Sequence, residues 1–258
     1  RLSIGVQSFN NDKLKFLGRV HSGEEAINSI YEAKKVGFDN INIDLMYGLK
    51  GQTIKESKED LMKAISLKPS HISFYQLTLE PNTLFSKFPP RLPSEEKIWN
   101  LGDKGAELLK MQGFTQYEVS AYSKIPSQHN INYWEFGDYL GIGAGAHGKI
   151  TDMRSKSIFR TLKPKSPNDY LKKFQKNDEN PSIKNIDNVV FEFMLNGLRL
   201  KEGININLFE SRTGLSIELI RPQLEKAINL GLLIKKDSLI KPSEKGFNFL
   251  NDLQGVFL

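Results

Sequence analysis

The chain has 258 residues, 39% of them hydrophobic and 26% charged, a balance that supports one large folded domain, or a large and a small one, and argues against disorder. The absence of cysteine excludes disulfides, thiolate zinc sites, a cysteine nucleophile and a self-contained iron–sulfur site within these residues. The net charge of +6 comes from scattered lysines rather than a focused basic patch, no apolar run approaches the roughly 20 residues of a membrane span, and no charged-then-apolar leader opens the chain, so the expectation is a cytoplasmic protein without a transmembrane segment.

Arg1 leads straight into Leu-Ser-Ile-Gly-Val-Gln-Ser-Phe, a strand-like run without a cap, turn or initiator Met, as in a chain that starts inside a domain. From there to about residue 122 the pattern alternates β-type and helical runs, the signature of repeated βα units and a parallel sheet. The expected strands are residues 2–9, 40–46, 71–78 and 116–121. Between the first two, residues 22–36 carry Ala26, Ile27, Ile30 and Ala33 at helical spacing, and Ser22 with Glu25 forms a capping box. Thr53 with Glu56 repeats it. The loops after the strands hold Gln7 and Ser8, residues 44–52 and residues 76–82, and in parallel α/β architectures that edge binds ligands. Four strands are too few to close an eight-stranded barrel.

After Gly148 the rhythm fades into a Lys/Ser/Pro-rich stretch near 162–167 and a polar one near 176–184, so residues 151–184 are expected to connect a first domain, 1–150, to a second, 185–258. In the second, helices are expected over 186–200, 207–212, 216–229 and 243–253, with a turn at Gly214 and a stop at Gly231. Residues 232–235 and 239–241 read as a small β wing. The outline is winged-helix-like α+β.

Individually, the polar candidates have two readings each. Asp44 either holds a hydroxyl or cation or merely caps its loop; Gln7 either faces a ligand or satisfies backbone; Arg19 either binds an anion or forms a surface ion pair. His129-Asn-Ile-Asn-Tyr-Trp134 packs an imidazole, two amides and two large aromatics into six residues. Imidazole suits heme iron and flat rings suit a macrocycle, while core packing of Tyr133 and Trp134 and a hydrogen-bonded His129 are the alternatives. Gly141-Ile-Gly-Ala-Gly-Ala-His-Gly148 offers backbone N–H groups or close packing, and His147 within it either meets a ligand or tolerates the turn.

In order and spacing, Ser3-Ile-Gly-Val-Gln-Ser-Phe9, Leu17-Gly-Arg-Val-His21, Asp44-Leu-Met-Tyr-Gly-Leu49, Tyr75-Gln-Leu-Thr-Leu-Glu-Pro-Asn-Thr83, Tyr117-Glu-Val-Ser120, His129-Asn-Ile-Asn-Tyr-Trp134 and Tyr139-Leu-Gly-Ile-Gly-Ala-Gly-Ala-His-Gly148 closely resemble the HemW-type heme chaperones, relatives of the oxygen-independent coproporphyrinogen III oxidase. The resemblance covers essentially the whole chain. It implies an α/β fold, a partial (β/α)6 radical S-adenosylmethionine (SAM) barrel lacking its N-terminal strands, followed by the winged-helix-like domain. The family's Cys-x3-Cys-x2-Cys loop for a [4Fe–4S] cluster would lie before Arg1. Gln7, Arg19 and Asp44 fall on the family's SAM-contacting positions, and Thr78 on a less specific one. The His-Asn-x-x-Tyr-Trp motif implies heme, with His129 as iron ligand and Tyr133 and Trp134 flanking the porphyrin.

Two departures stand out: Ser127-Gln128 precedes His129 where relatives often carry a Cys, and Lys50 stands where Pro is common. The implied function is heme binding and transfer to an acceptor protein, with SAM and the cluster in support. Radical decarboxylation of coproporphyrinogen III is the enzymatic alternative. A DNA-binding winged helix is disfavoured because residues 216–229 carry Glu218 and Glu225 beside Arg221 and Lys226. The sequence leaves a homodimer open.

Overall fold

A computed structural model describes residues 1–152, 154, 155, 157–175 and 180–258. Contacts divide it into two compact units, Arg1–Ser127 and Gln128–Leu258. The division falls earlier than the expected boundary at 150.

In the first unit the elements are β1 (Leu2–Gln7), α1 (Asn11–Phe16), α2 (Gly23–Lys35), β2 (Ile41–Tyr47), α3 (Ile54–Ser66), β3 (His71–Gln76), α4 (Leu84–Lys87), α5 (Glu95–Met111), β4 (Thr115–Glu118) and β5 (Ala121–Ser123). Both capping boxes form: Ser22 and Glu25 start α2, and Thr53 and Glu56 start α3, each pair satisfying backbone N–H groups reciprocally. The sheet order is β1-β2-β3-β5-β4. The first three strands are parallel, with Ser3 opposite Asn42, and Asn42 and Asp44 opposite His71 and Ser73.

The expected fourth parallel strand is a hairpin instead. Residues 116–121 fold back between β4 and β5, and β5 runs antiparallel to β3. The Glu118 carboxylate accepts from the Ser120 N–H at 3.2 Å, a local bond that tightens the turn, and the register shifts between Gln116 and Glu118.

Side chains alternate across a strand, and here one parity is apolar. Val6, Ile41, Ile43, Leu45, Ile72 and Phe74 pack with Ala26 and Ile30 of α2, Leu61 and Ala64 of α3, and Leu108 and Leu109 of α5. Each such side chain contributes about 1.5–3 kcal/mol when fully buried. The other parity carries Ser3, Gly5 and Gln7, then Asn42 and Asp44, then His71, Ser73 and Tyr75.

The second unit contains α6 (Gln128–Trp134), β6 (His147–Asp152), β7 (Ser157–Leu162), α7 (Pro167–Phe174), β8 (Ser182–Asn185), α8 (Val189–Gly197), β9 (Ile204–Asn205), α9 (Asn207–Thr213), a 3-10 turn (Ile217–Ile220), α10 (Arg221–Asn229), β10 (Leu233–Lys236), β11 (Leu239–Pro242), α11 (Glu244–Asn248) and α12 (Leu250–Gly255). The stretch 151–184, expected as a connector, therefore holds β7, α7 and part of β8, and an antiparallel sheet runs β6-β7-β8. The polar run from 176 begins outside the described residues. The wing gains a third strand, because β9 pairs with β11.

Two expected helices are split. Residues 216–229 break into the 3-10 turn and α10 because Pro222 stands in the first turn of α10 and cannot donate to a helix continuing from before it. Residues 243–253 break at Phe249, whose φ of −113° and ψ of 50° are not helical. Gly214 and Gly231 adopt φ of 69° and 70°, ending their helices as expected. The interior joins Phe136, Phe193 and Phe209 edge to face, with centroids 5.7 and 5.2 Å apart.

Candidate functional site

On the polar face of the first unit, Asp44 occupies the middle of β2 rather than the strand end expected for it, because β2 continues to Tyr47. Its Oδ2 accepts from the Ser3 hydroxyl at 3.0 Å and its Oδ1 from Asn42 Nδ2 at 2.7 Å. Asn42 is buried at the centre of a wider network, with Nδ2 2.7 Å from Ser3 Oγ and Oδ1 2.6 Å from His71 Nδ1. The other nitrogen of His71, Nε2, lies 2.7 Å from the Tyr117 hydroxyl. Burial pulls the pKa of His71 from 6.5 to about 4, with the charge of Arg1 adding to the effect. The ring is therefore neutral at pH 7.

Gln7 ends β1 with φ +69°, a costly value for a non-glycine residue. The side chain is only 5% exposed, and its Oε1 accepts from the Tyr75 hydroxyl at 2.7 Å. Gly5 makes room for it, since a Cβ there would lie 2.8 Å from Gln7 Nε2. The strained end is held from behind, where Asp60 of α3 accepts from Ser8 Oγ at 2.6 Å and from the Phe9 N–H at 2.8 Å.

Burial raises the Tyr75 pKa and the Asp44 charge raises it further, while Arg19 and the bond to Gln7 oppose. The hydroxyl thus stays protonated and donates to Oε1, and Gln7 Nε2, over Gly5, is the donor end of the amide. Tyr75 is the centre around which Gln7, Arg19 and Asp44 gather. Arg19 is exposed and makes no ion pair with the described residues; the alternative of a surface salt bridge is absent among them. His21 Nε2, 3.2 Å from the Val6 carbonyl, ties this segment to the end of β1. Thr78 lies exposed in the loop after β3, its hydroxyl donating to Glu80 at 2.9 Å. A carboxylate, a guanidinium and an amide suit a ligand with both hydroxyl and carboxylate groups.

In the second unit the His-Asn-x-x-Tyr-Trp run is the helix α6. Four residues apart, His129 and Tyr133 share one side of it, with ring centroids 6.0 Å apart, and His129 is exposed. Tyr133 stacks on Tyr139 at 4.2 Å and its hydroxyl lies 2.5 Å from that of Tyr139, which also receives Arg160 Nη1 at 3.0 Å. Arg160 in turn pairs with Glu192. Burial raises the Tyr133 pKa, so that phenol is a donor. Trp134 lies beneath the Arg199 guanidinium, 4.5 Å from ring centroid to Cζ, and its buried Nε1 meets no acceptor among the described residues. His147 is exposed at the start of β6, opposite Leu162.

The glycine-rich run after α6 serves close packing: a Cβ on Gly141 would lie 2.0 Å from the His147 carbonyl, and one on Gly148 2.5 Å from Thr161 Oγ1. Sequence reasoning missed the residue beneath this turn. Lys149 is 2% exposed; its Nζ bonds Asp138 Oδ1 at 2.8 Å and the Phe136 carbonyl at 3.0 Å, and lies 4.1 Å from the Phe136 ring centroid. Asn42, His71 and Tyr75 were also missed as site residues. Their signal was the alternation of polar with apolar residues along β2 and β3. In the wing unit Arg221 is paired with Glu218, so the helix α10 presents little free positive charge to a duplex.

Model matches assign residues 1–64 to the Radical SAM superfamily and residues 187–249 to the HemN C-terminal domain. The whole chain aligns with the heme chaperone HemW of Haemophilus influenzae at 45% identity, covering 67% of that protein. It aligns with HemW of Escherichia coli at 44%, covering 68%, and of Bacillus subtilis at 33%, covering 69%. In fold the whole chain matches the radical SAM enzyme coproporphyrinogen III oxidase, HemN, of Escherichia coli with a TM-score of 0.75 at 19% identity, covering 63% of that chain.

Proposed function

The chain belongs to the HemW family of radical SAM proteins, and from that premise we propose that it is the part of a heme chaperone that binds heme and passes it to an acceptor protein. The observation that carries the reading is His129 on α6, an exposed imidazole one turn before a tyrosine that is itself stacked on Tyr139. His129 ligates the iron. Tyr133 and Trp134 border the porphyrin, and His147 is a secondary contact. Titration of the intact protein with hemin tests this: His129→Ala should weaken or shift the Soret band, and an unchanged band removes His129 from the site.

The polar face of the first unit fits SAM chemically. Asp44 takes the ribose hydroxyls, Arg19 the amino-acid carboxylate, Gln7 donates through Nε2, and Thr78 closes the loop side. Bound SAM with a reduced [4Fe–4S] cluster is a source of radical chemistry in this superfamily. The chain has no cysteine, so none of the cluster's thiolates comes from these 258 residues. Loss of SAM binding on Asp44→Ala supports the assignment, and retention refutes it. An anaerobic assay of the intact protein separates chaperone from decarboxylase, because loss of propionate carboxylates from coproporphyrinogen III would favour the second. No helix among the described residues is long and apolar enough to cross a membrane. A homodimer is tested by sedimentation of the heme-loaded protein.

A further inference from the structure

We infer that His71 is a positioning residue for SAM binding, acting on Asp44 through the side-chain amide of Asn42. The inference rests on the assignment of Asp44 to SAM.

Asn42 stands between the two. Its amide has one hydrogen-bonding end toward Asp44 and Ser3, both 2.7 Å from Nδ2, and the other toward His71 Nδ1, 2.6 Å from Oδ1. The orientation is fixed by both ends together. Turned over, the amide would set an oxygen against the Asp44 carboxylate at hydrogen-bond distance, which is repulsive. In the observed orientation Oδ1 needs a donor, and His71 supplies it only as the tautomer protonated on Nδ1. With Nδ1 protonated, Nε2 is bare, and the Tyr117 hydroxyl 2.7 Å away donates to it. The Ser73 hydroxyl sits beside both ends of the amide, accepting from Nδ2 at 3.0 Å and donating to Oδ1 at 3.2 Å.

The order of donation is therefore Tyr117 to His71, His71 to Asn42, and Asn42 to Asp44. Ser3 completes it, its hydroxyl donating to Asp44 Oδ2 at 3.0 Å. Asp44 thus has one oxygen held by the amide and the other by the serine, so the carboxylate plane is set before a ligand arrives. Preorganisation of this kind raises affinity by removing ordering costs at binding. The reach is long for one residue: His71 belongs to β3 and Tyr117 to the hairpin strand β4, yet both act on a carboxylate of β2. His71 is 2% exposed, so it acts on SAM through Asn42 and not by contact with solvent.

The test is the affinity of the intact, cluster-loaded protein for labelled SAM by equilibrium dialysis, with thermal melting of each variant alongside. Asp44→Ala should weaken binding more than tenfold. His71→Leu should weaken it about five- to tenfold, the loss of one or two hydrogen bonds' worth of orientation. His71→Asn, whose amide Nδ2 takes the place of the ring Nδ1 as donor, should recover to within about twofold. A role in packing alone predicts no rescue, because asparagine is smaller than histidine and cannot fill its place. The double variant His71→Leu with Asp44→Ala should bind no worse than Asp44→Ala alone. If His71→Leu does not fold, Asn42→Asp decides: it keeps the size and replaces the donor by an oxygen, and wild-type affinity there overturns the inference. Wild-type affinity in His71→Leu, or His71→Asn no better than His71→Leu, overturns it while the SAM assignment stands. Unchanged affinity in Asp44→Ala overturns both.

Discussion

The Tyr75 hydroxyl donates to Gln7 Oε1 at 2.7 Å, joining β3, the central strand of the five-stranded sheet, to the strained end of β1. Tyr75→Phe removes this donor and frees the Gln7 amide to turn. SAM affinity should fall roughly fivefold, about 1 kcal/mol. Dialysis at fixed salt checks this, and the fold should be retained because phenylalanine keeps the ring.

Lys149 is a buried cation of the second unit, and breaking its network should be expensive. In Lys149→Met the volume is kept, but the Phe136 carbonyl and Asp138 lose a donor. The expected loss is about 2 kcal/mol, a fall of roughly 5 °C in Tm. Asp138 retains its bonds from Thr151, which limits the damage. Hemin affinity should fall as well, since the turn held by Lys149 follows directly on the α6 helix.

Acid should destabilise the first unit through His71. Its pKa is lowered in the fold to about 4 from 6.5, so between those values the unfolded chain binds the extra proton and stability falls as pH falls. Complete passage through the window costs about 3 kcal/mol. Urea unfolding at pH 7 and pH 5 should show a loss in the wild type that is smaller in His71→Asn, which has no ring to protonate.

Asp60 behaves in the opposite sense. Burial raises its carboxyl above its usual range despite the bonds from Ser8 and Phe9, so stability linked to this group increases as pH falls through its folded pKa toward its ordinary value. Asp60→Ala leaves the buried Ser8 hydroxyl and the Phe9 N–H without their acceptor. It should cost about 2–3 kcal/mol and speed amide exchange at Phe9, which hydrogen exchange measures.

The parallel strands and both capping boxes were legible because hydrophobic spacing and the Ser-x-x-Glu and Thr-x-x-Glu pairs are local signals. The hairpin at Glu118 and Ser120 was not, since it depends on a turn bond and on pairing with β3. Pro222 marks the break between the 3-10 turn and α10, although the helical spacing of Ile217, Ile220, Leu224 and Ile228 runs across it. Among site residues, Gln7, Arg19 and Asp44 came from the family resemblance, and the structure gathers them around Tyr75. Asn42, His71 and Lys149 stayed hidden because a buried polar residue is recognised by its partners, which lie on other strands.

The alternation along β1, β2 and β3 divides inheritance as well as space. Positions such as Ile4, Ile43 and Phe74 answer to the helices, while their immediate neighbours Ser3, Asp44 and Ser73 answer to whatever the open side holds. Adjacent codons are thus under different demands, and drift in one parity need not disturb the other. A saturation library of the three strands, sorted first for expression and then for ligand retention, should resolve into two interleaved sets.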